Sequence, residues 1–184
     1  MLINHEREKL INLIIFLSNN TNNCGKIKLF KLLYFIDFEH FKINGRSVTG
    51  LKYAAWKMGP VPTELFEEID KPEPDMAEAL EFSLVPTNIG RPMLTIKPMT
   101  HFNDEHFTKR ELKIIVNMAK LYADKNAEEM IEATHLENSP WDRVFNKENN
   151  KKGEIPYEYA LKSGEFDEML KISKEKKDVR EALG

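Results

Sequence analysis

The apolar positions divide the chain into helical stretches separated by polar or proline-rich breaks. In residues 5–18, Leu10, Leu13, Ile14 and Leu17 recur at intervals of three and four, which marks one face of a helix. The polar run 19–25 ends it at Gly25. Residues 26–43 carry two stripes, one of Leu29, Leu32, Leu33 and Ile36 and one of Phe30, Tyr34, Phe38 and Phe41. A helix apolar on two sides belongs in the middle of a fold. Its charged residues Lys26, Lys28, Lys31, Asp37, Glu39 and Lys42 are therefore expected to emerge at its edges. Asn44-Gly45 closes it, because both residues tolerate a left-handed conformation.

The middle of the chain changes character. Val48, Leu51, Tyr53, Ala54, Ala55, Trp56 and Met58 fit a short helix or a strand, and periodicity does not choose between them. Gly59-Pro60-Val61-Pro62 reads as a rigid turn, with Pro62 at the first position of a helix running to about Ile69. Lys71-Pro72-Glu73-Pro74 breaks that helix. Phe82, Leu84 and Val85, then Met93, Leu94 and Ile96, predict a small hairpin turning near Asn88–Arg91, with Pro86 and Pro92 implying edge strands.

Helices dominate again further on. Thr108 and Glu111 form a capping-box pattern ahead of a helix over 108–123, with Leu112, Ile115, Val116 and Ala119 as its buried face. Asn126 and Glu129 repeat the device before a helix near 127–136. Ser139-Pro140-Trp141-Asp142 supplies a cap, a first-turn proline and an acidic first turn. Residues 146–153 read as an exposed loop, Pro156–Leu161 and Glu165–Ile172 as two short helices, and Lys174–Asp178 as a solvated charge run. The predicted fold is mainly α with a small β-hairpin (α+β), a single compact helical domain over 1–170 followed by a charged C-terminal tail, 171–184.

Composition narrows the function classes. Of 184 residues, 41% are hydrophobic and 31% charged, which excludes a disordered chain. The longest apolar run, Leu13 to Leu17, falls far short of the roughly 20 residues of a membrane span. The first residues mix both charge signs, unlike an export signal, so the expected location is the cytoplasm, with no membrane partner. Cys24, the one cysteine, cannot form an intramolecular disulfide and reads as a bystander in a loop. A net charge of −3 argues against direct nucleic-acid binding. Lys26, Lys28, Lys31, Arg46, Lys52 and Lys57 nevertheless make a locally basic stretch. It suits a phosphate-facing patch, a complement to an acidic protein surface, or a plain solvated face. The plain solvated face is the default of the three, and Trp56 and Met58 within the stretch would suit a protein interface.

Catalytic patterns are scarce. His5, His40, His101, His106 and His135 include no His-x-x-x-His pair. Asp37 and His40 share a helix face but lack a third ligand, and His101 to His106 reads as a loop ahead of a helix cap. No nucleophile elbow, Walker loop or dinucleotide fingerprint occurs. Neither a metal nor a cofactor is expected, and the chain does not read as an enzyme.

The ordered set of motifs is more informative than any one of them. Lys28-Leu-Phe-Lys-Leu-Leu-Tyr-Phe-Ile-Asp37 leads through Gly45 and Tyr53-Ala54-Ala55-Trp56 to Gly59-Pro60-Val61. Thr134-His135 and Ser139-Pro140-Trp141 follow. This order and spacing resemble the Panacea domain, or SocA-like antitoxin domain. The resemblance implies a chain that neutralises a cognate toxin protein by direct contact, for instance by occluding the substrate site of a toxin that acts on translation or nucleotides. It supplies no catalytic residues. Leu32, Tyr34, Ala54, Gly59, Pro60, Val61, His135, Pro140 and Trp141 are expected to determine the fold. Lys31, Arg46, Tyr53, Trp56, Lys57, Met58 and Phe66 are the expected partner contacts. Two alternatives are a protease adaptor using Lys171 to Gly184 as a tether, and a metal-dependent hydrolase built on Asp37 and His40.

Overall fold

The structure is a computed structural model that describes residues 5–86, 90, 92–136, 139–161 and 166–183. Two long helices, α1 (Glu6–Asn20) and α2 (Lys26–Asn44), are followed by a hairpin of β1 (Tyr53–Trp56) and β2 (Gly59–Pro62). Short helices α3 (Thr63–Glu68) and α4 (Pro74–Ala79) lead into a second hairpin, β3 (Leu80–Val85) and β4 (Met93–Pro98). Then come α5 (Lys109–Leu121), α6 (Ala127–Thr134) and α7 (Pro140–Asp142), the last running into a π-helical turn at Arg143–Lys147. A 3-10 turn (Tyr157–Ala160) and α8 (Phe166–Leu183) finish the chain. The fold is mainly helical with two antiparallel two-stranded sheets, as the sequence predicts in class.

Helix α2 is the centre of the molecule. Both of its stripes are buried, from Leu29 and Leu32 to Phe38 and Phe41, and α1, α5, α6, β2, the 3-10 turn and α8 all pack on it. Gly45 ends it with a φ of 65°. Lys28 and Lys31, expected at its edges, are instead 2% exposed. The reason is local cover, since the end of α5 and the second strand pack over this part of the edge, whereas Glu39 and Lys42 further along it reach solvent. Lys28 Nζ donates to the carbonyls of Asn22 (2.7 Å) and Ala123 (2.8 Å), joining the α1–α2 loop to the end of α5. Lys31 Nζ donates to the Pro60 carbonyl at 2.9 Å.

Asp37 and His40 serve the same purpose at the other end of α2. Asp37 Oδ1 accepts from the amides of Val48 (2.8 Å) and Thr49 (2.9 Å), and Oδ2 from the hydroxyls of Thr49 (2.5 Å) and Tyr53 (2.7 Å). Burial pushes its carboxyl up to about 6, against those four hydrogen bonds, which hold it down. His40 Nδ1 lies 2.7 Å from the Arg46 carbonyl. Both side chains therefore fold the 46–53 segment back onto α2, and among the described residues no three-ligand metal cluster forms.

The undecided stretch 46–59 resolves into an irregular segment and then β1, and the tight turn sits at Lys57 and Met58, one step before the expected Gly59-Pro60. Gly59 opens β2 with a φ of 96°, and a Cβ there would lie 2.6 Å from Thr134 Oγ1. Close approach and backbone conformation both require glycine. Pro62 precedes α3 as its cap rather than serving as its first residue. On its far side β1 bonds the segment around Gly153, through the amides of Ala55, Lys152 and Ile155. The second hairpin has the predicted strands, with Phe82 opposite Ile96 and Leu84 opposite Leu94, and of its predicted turn only Gly90 lies within the described residues.

Elsewhere the expectations need small changes. Both predicted capping boxes are present, but the buried face of α5 is Glu111, Ile114, Ile115 and Ala119, with Leu112 and Val116 only half-buried. Glu111 is 0% exposed and bonds Lys9 at 2.8 Å. Burial works against its ionisation, yet Lys9 and the Thr108 amide hold the carboxyl below its usual range. The charge run at 174–178 continues a single helix from Phe166 to Leu183, where the sequence reading ended a short helix at Ile172. No helix among the described residues is long and apolar enough to cross a membrane.

Replacing Asp37 with Ala strands two buried amides and two buried hydroxyls, so it should destabilise the fold by about 3–5 kcal/mol. Urea denaturation measures this directly. A loss under about 1 kcal/mol would mean that the 46–53 segment does not depend on the carboxylate.

Candidate functional site

Three segments far apart in sequence converge beneath the first hairpin. From α2, Lys31 reaches the Pro60 carbonyl, and Tyr34 buries its hydroxyl beside the main chain at Trp141. From β2, Gly59 lies against Lys31 Cε and Thr134 Oγ1. From the α6–α7 region, the His135 ring stacks on Trp141 at 3.9 Å and 10°, and Trp141 stacks in turn on Phe145 at 4.7 Å. The Trp141 indole N–H closes the assembly by donating to the Trp56 carbonyl at 2.9 Å. Leu32, Ala54, Val61 and Trp141 are buried, Pro140 starts α7, and His135 packs by its ring face, its Nε2 without a hydrogen-bond partner.

The seven expected partner contacts separate into three groups. Tyr53 is 1% exposed with its hydroxyl on Asp37, and Lys31 is 2% exposed beneath the hairpin. Neither reaches the surface, because each satisfies a buried polar group of another element. Arg46 is exposed but follows the C-terminal end of α2, whereas Phe66 meets Lys26 at the N-terminal end. A helix of 19 residues puts about 28 Å between those ends. The locally basic stretch therefore forms no single patch.

The remaining four lie on the first hairpin and the helix that follows it. The Trp56 and Phe66 rings are 5.0 Å apart, tilted at 56°, on the outer side of the hairpin and α3. Met58, at the hairpin tip, is 51% exposed and Lys57 beside it is exposed. Lys26 Nζ sits 3.9 Å over the Phe66 ring, and Lys152 Nζ 5.5 Å over Trp56. These two lysines, the first also near Asp70 at 3.6 Å, were not both anticipated as neighbours of the aromatic pair. Lys152 lies in a stretch that reads only as loop, and its proximity follows from the pairing of 152–155 with β1.

The aromatic pair and Met58 supply apolar contact area, and the lysine ammonium groups supply a positive rim. Beneath them, Lys31 has no acidic partner among the described residues. Burial pushes its ammonium down to about 7. His135, the titratable neighbour from α6, is itself pushed down by burial and by Lys31.

A lysine depressed in the folded state binds its proton more readily when unfolded. Its penalty is present in full below about pH 7 and is relieved as the pH rises toward 10.5. Wild-type stability should therefore climb between pH 7 and 9.5 relative to a Lys31→Met variant, by on the order of a few kcal/mol. Denaturant midpoints across that range test it, and parallel profiles for the two proteins would show that Lys31 is not desolvated as described.

The chain matches the family described as antitoxin SocA-like, Panacea domain, over residues 29–142. No curated protein and no solved structure matches it. The matched span begins in α2, ends at the close of α7 and contains Lys31, Tyr34, Gly59, His135 and Trp141 of the hairpin seat, with Phe145 just beyond it. Covering more than half of the chain, it shows that the protein belongs to the SocA-like antitoxin family of Panacea domains.

Proposed function

We propose that this domain neutralises a toxin protein by direct contact, and that the surface formed by Trp56, Lys57, Met58 and Phe66 makes that contact. Family membership supports an antitoxin role in general and a non-enzymatic one. The observation that carries the location is the Trp56–Phe66 pair beside a half-exposed Met58, held on a seat built from three separate chain segments. Aromatic and methionine side chains on a rigid support lose little entropy on binding and concentrate affinity in few residues. A contact of ordinary size, roughly 800 Å² per partner, is large enough to cover a toxin's substrate groove, so occlusion is the mechanism proposed here.

Coexpression with the product of each flanking gene, scored by growth and by co-purification, tests the proposal. Wild-type protein should rescue growth and form a complex. Met58→Asp combined with Lys57→Glu should leave the fold intact, since both side chains are exposed, and weaken the complex at least about 100-fold. A double variant that rescues as well as wild type would move the contact off the hairpin tip. Flanking products that are harmless alone would remove the antitoxin reading itself.

A further inference from the structure

A second charged cluster lies at the opposite end of α2 from the aromatic pair. Arg110, on α5, donates from Nη1 to the Asn44 side-chain oxygen at 2.5 Å. Lys176, on α8, donates to the Asn44 backbone carbonyl. Arg46 follows two residues later and leans toward Glu111, its Nη2 3.7 Å from the carboxylate. The three cations are close enough that Lys176 is pushed below its usual range, first by partial burial and then by Arg46 and Arg110.

The local negative charge does not account for them. The end of a helix carries roughly half a unit of negative charge, enough to attract one cation. Glu111 is already bonded to Lys9 at 2.8 Å and is fully buried, so little of its charge remains for Arg46. Among the described residues no carboxylate closes on Arg110 or Lys176 in an ion pair. The exposed acids of α8, Glu175 and Asp178, make no bond to the cluster, and Lys42, on the adjacent turn of α2, is engaged with Glu39 at 2.9 Å. Two cations thus converge on Asn44 with a third beside them, in a protein whose net charge is −3. The same residue has a further unmet need. With its oxygen held by Arg110, Asn44 keeps a buried amide nitrogen with no acceptor.

We propose that Arg46, Arg110 and Lys176 form a binding site for a phosphate anion, free or carried on a nucleotide. Two guanidinium forks and one ammonium suit a compact, multiply charged oxyanion, because each fork can offer two parallel N–H donors to adjacent oxygens. All three side chains are exposed, so the anion enters from solvent without any opening of the core. The site uses none of Trp56, Lys57, Met58 or Phe66, and it stands whether or not the toxin contact lies at the hairpin.

Isothermal titration of the full chain with inorganic phosphate, and separately with AMP and ATP, tests the site at low and at physiological salt. Phosphate should bind in the millimolar range or tighter at low salt and weaken as salt rises. Arg110→Gln and Lys176→Gln should each weaken it about tenfold, with unchanged circular dichroism, and Lys113→Gln, on the exposed side of α5, should not. Equal affinity for phosphate and AMP assigns the site to the free anion, and tighter nucleotide binding that the same variants abolish assigns it to a nucleotide. Binding absent at about 10 mM phosphate and nucleotide, or present and indifferent to both variants, overturns the proposal. An RNA that binds where neither small anion does also overturns it.

Discussion

The structure depends on four polar side chains that α2 carries into the interior, each satisfied by groups of the segments packed around it. Lys28 holds the loop before α2 and the end of α5, Lys31 the second strand, Asp37 the crossing segment, and His40 the turn at Arg46. Apolar packing alone gives a central helix many acceptable rotations, since leucine and phenylalanine stripes interdigitate in several ways. A buried ammonium or carboxylate tolerates only the arrangement that supplies its partners. The desolvation cost is therefore tied to a gain in uniqueness, and the elements packed around α2 are fixed in register with it.

From that constraint follows the position of the first hairpin. Lys31 sets the depth of β2, Gly59 permits β2 to lie flush on Thr134, and Trp141 bonds the Trp56 carbonyl at the end of β1. The hairpin is only four residues on each side, too short to be stable alone in water. It is rigid because residues from positions 31, 59–60 and 134–141 support it, the positions that carry the family resemblance. The family motif thus supports the hairpin on which the proposed contact surface lies.

Much of this was legible in the sequence, and the gaps have physical causes. The 3-and-4 spacing marks α1 and α2, and the Thr108–Glu111 and Asn126–Glu129 pairs mark two helix starts, because these signals are local. The buried lysines were not legible, since charge reads as solvent exposure unless other elements cover it. The two apolar stripes of α2 were a signal of such cover, and Lys28 and Lys31 fall between them. Glu111 misled in a similar way, turning the buried face of α5 toward Ile114 because its carboxylate pairs inward with Lys9. Strands β1 and β2 were hidden by their shortness and by two prolines, and the grouping of Trp56 with Phe66 is a tertiary fact that no spacing encodes.

Those two prolines have a consequence for the life of the protein in a crowded solution. In β2, Pro60 and Pro62 oppose Ala55 and Tyr53, whose own main chains bond the 153–155 segment on the far side of β1. By the alternation of an antiparallel pair, the prolines and the Pro60 carbonyl face away from β1. That border of the sheet presents no amide at either proline, and the carbonyl is held by Lys31. A strand from a second molecule finds nothing there to copy, although greasy side chains lie a few residues away. The protein can keep an adhesive surface on show without templating its own polymerisation.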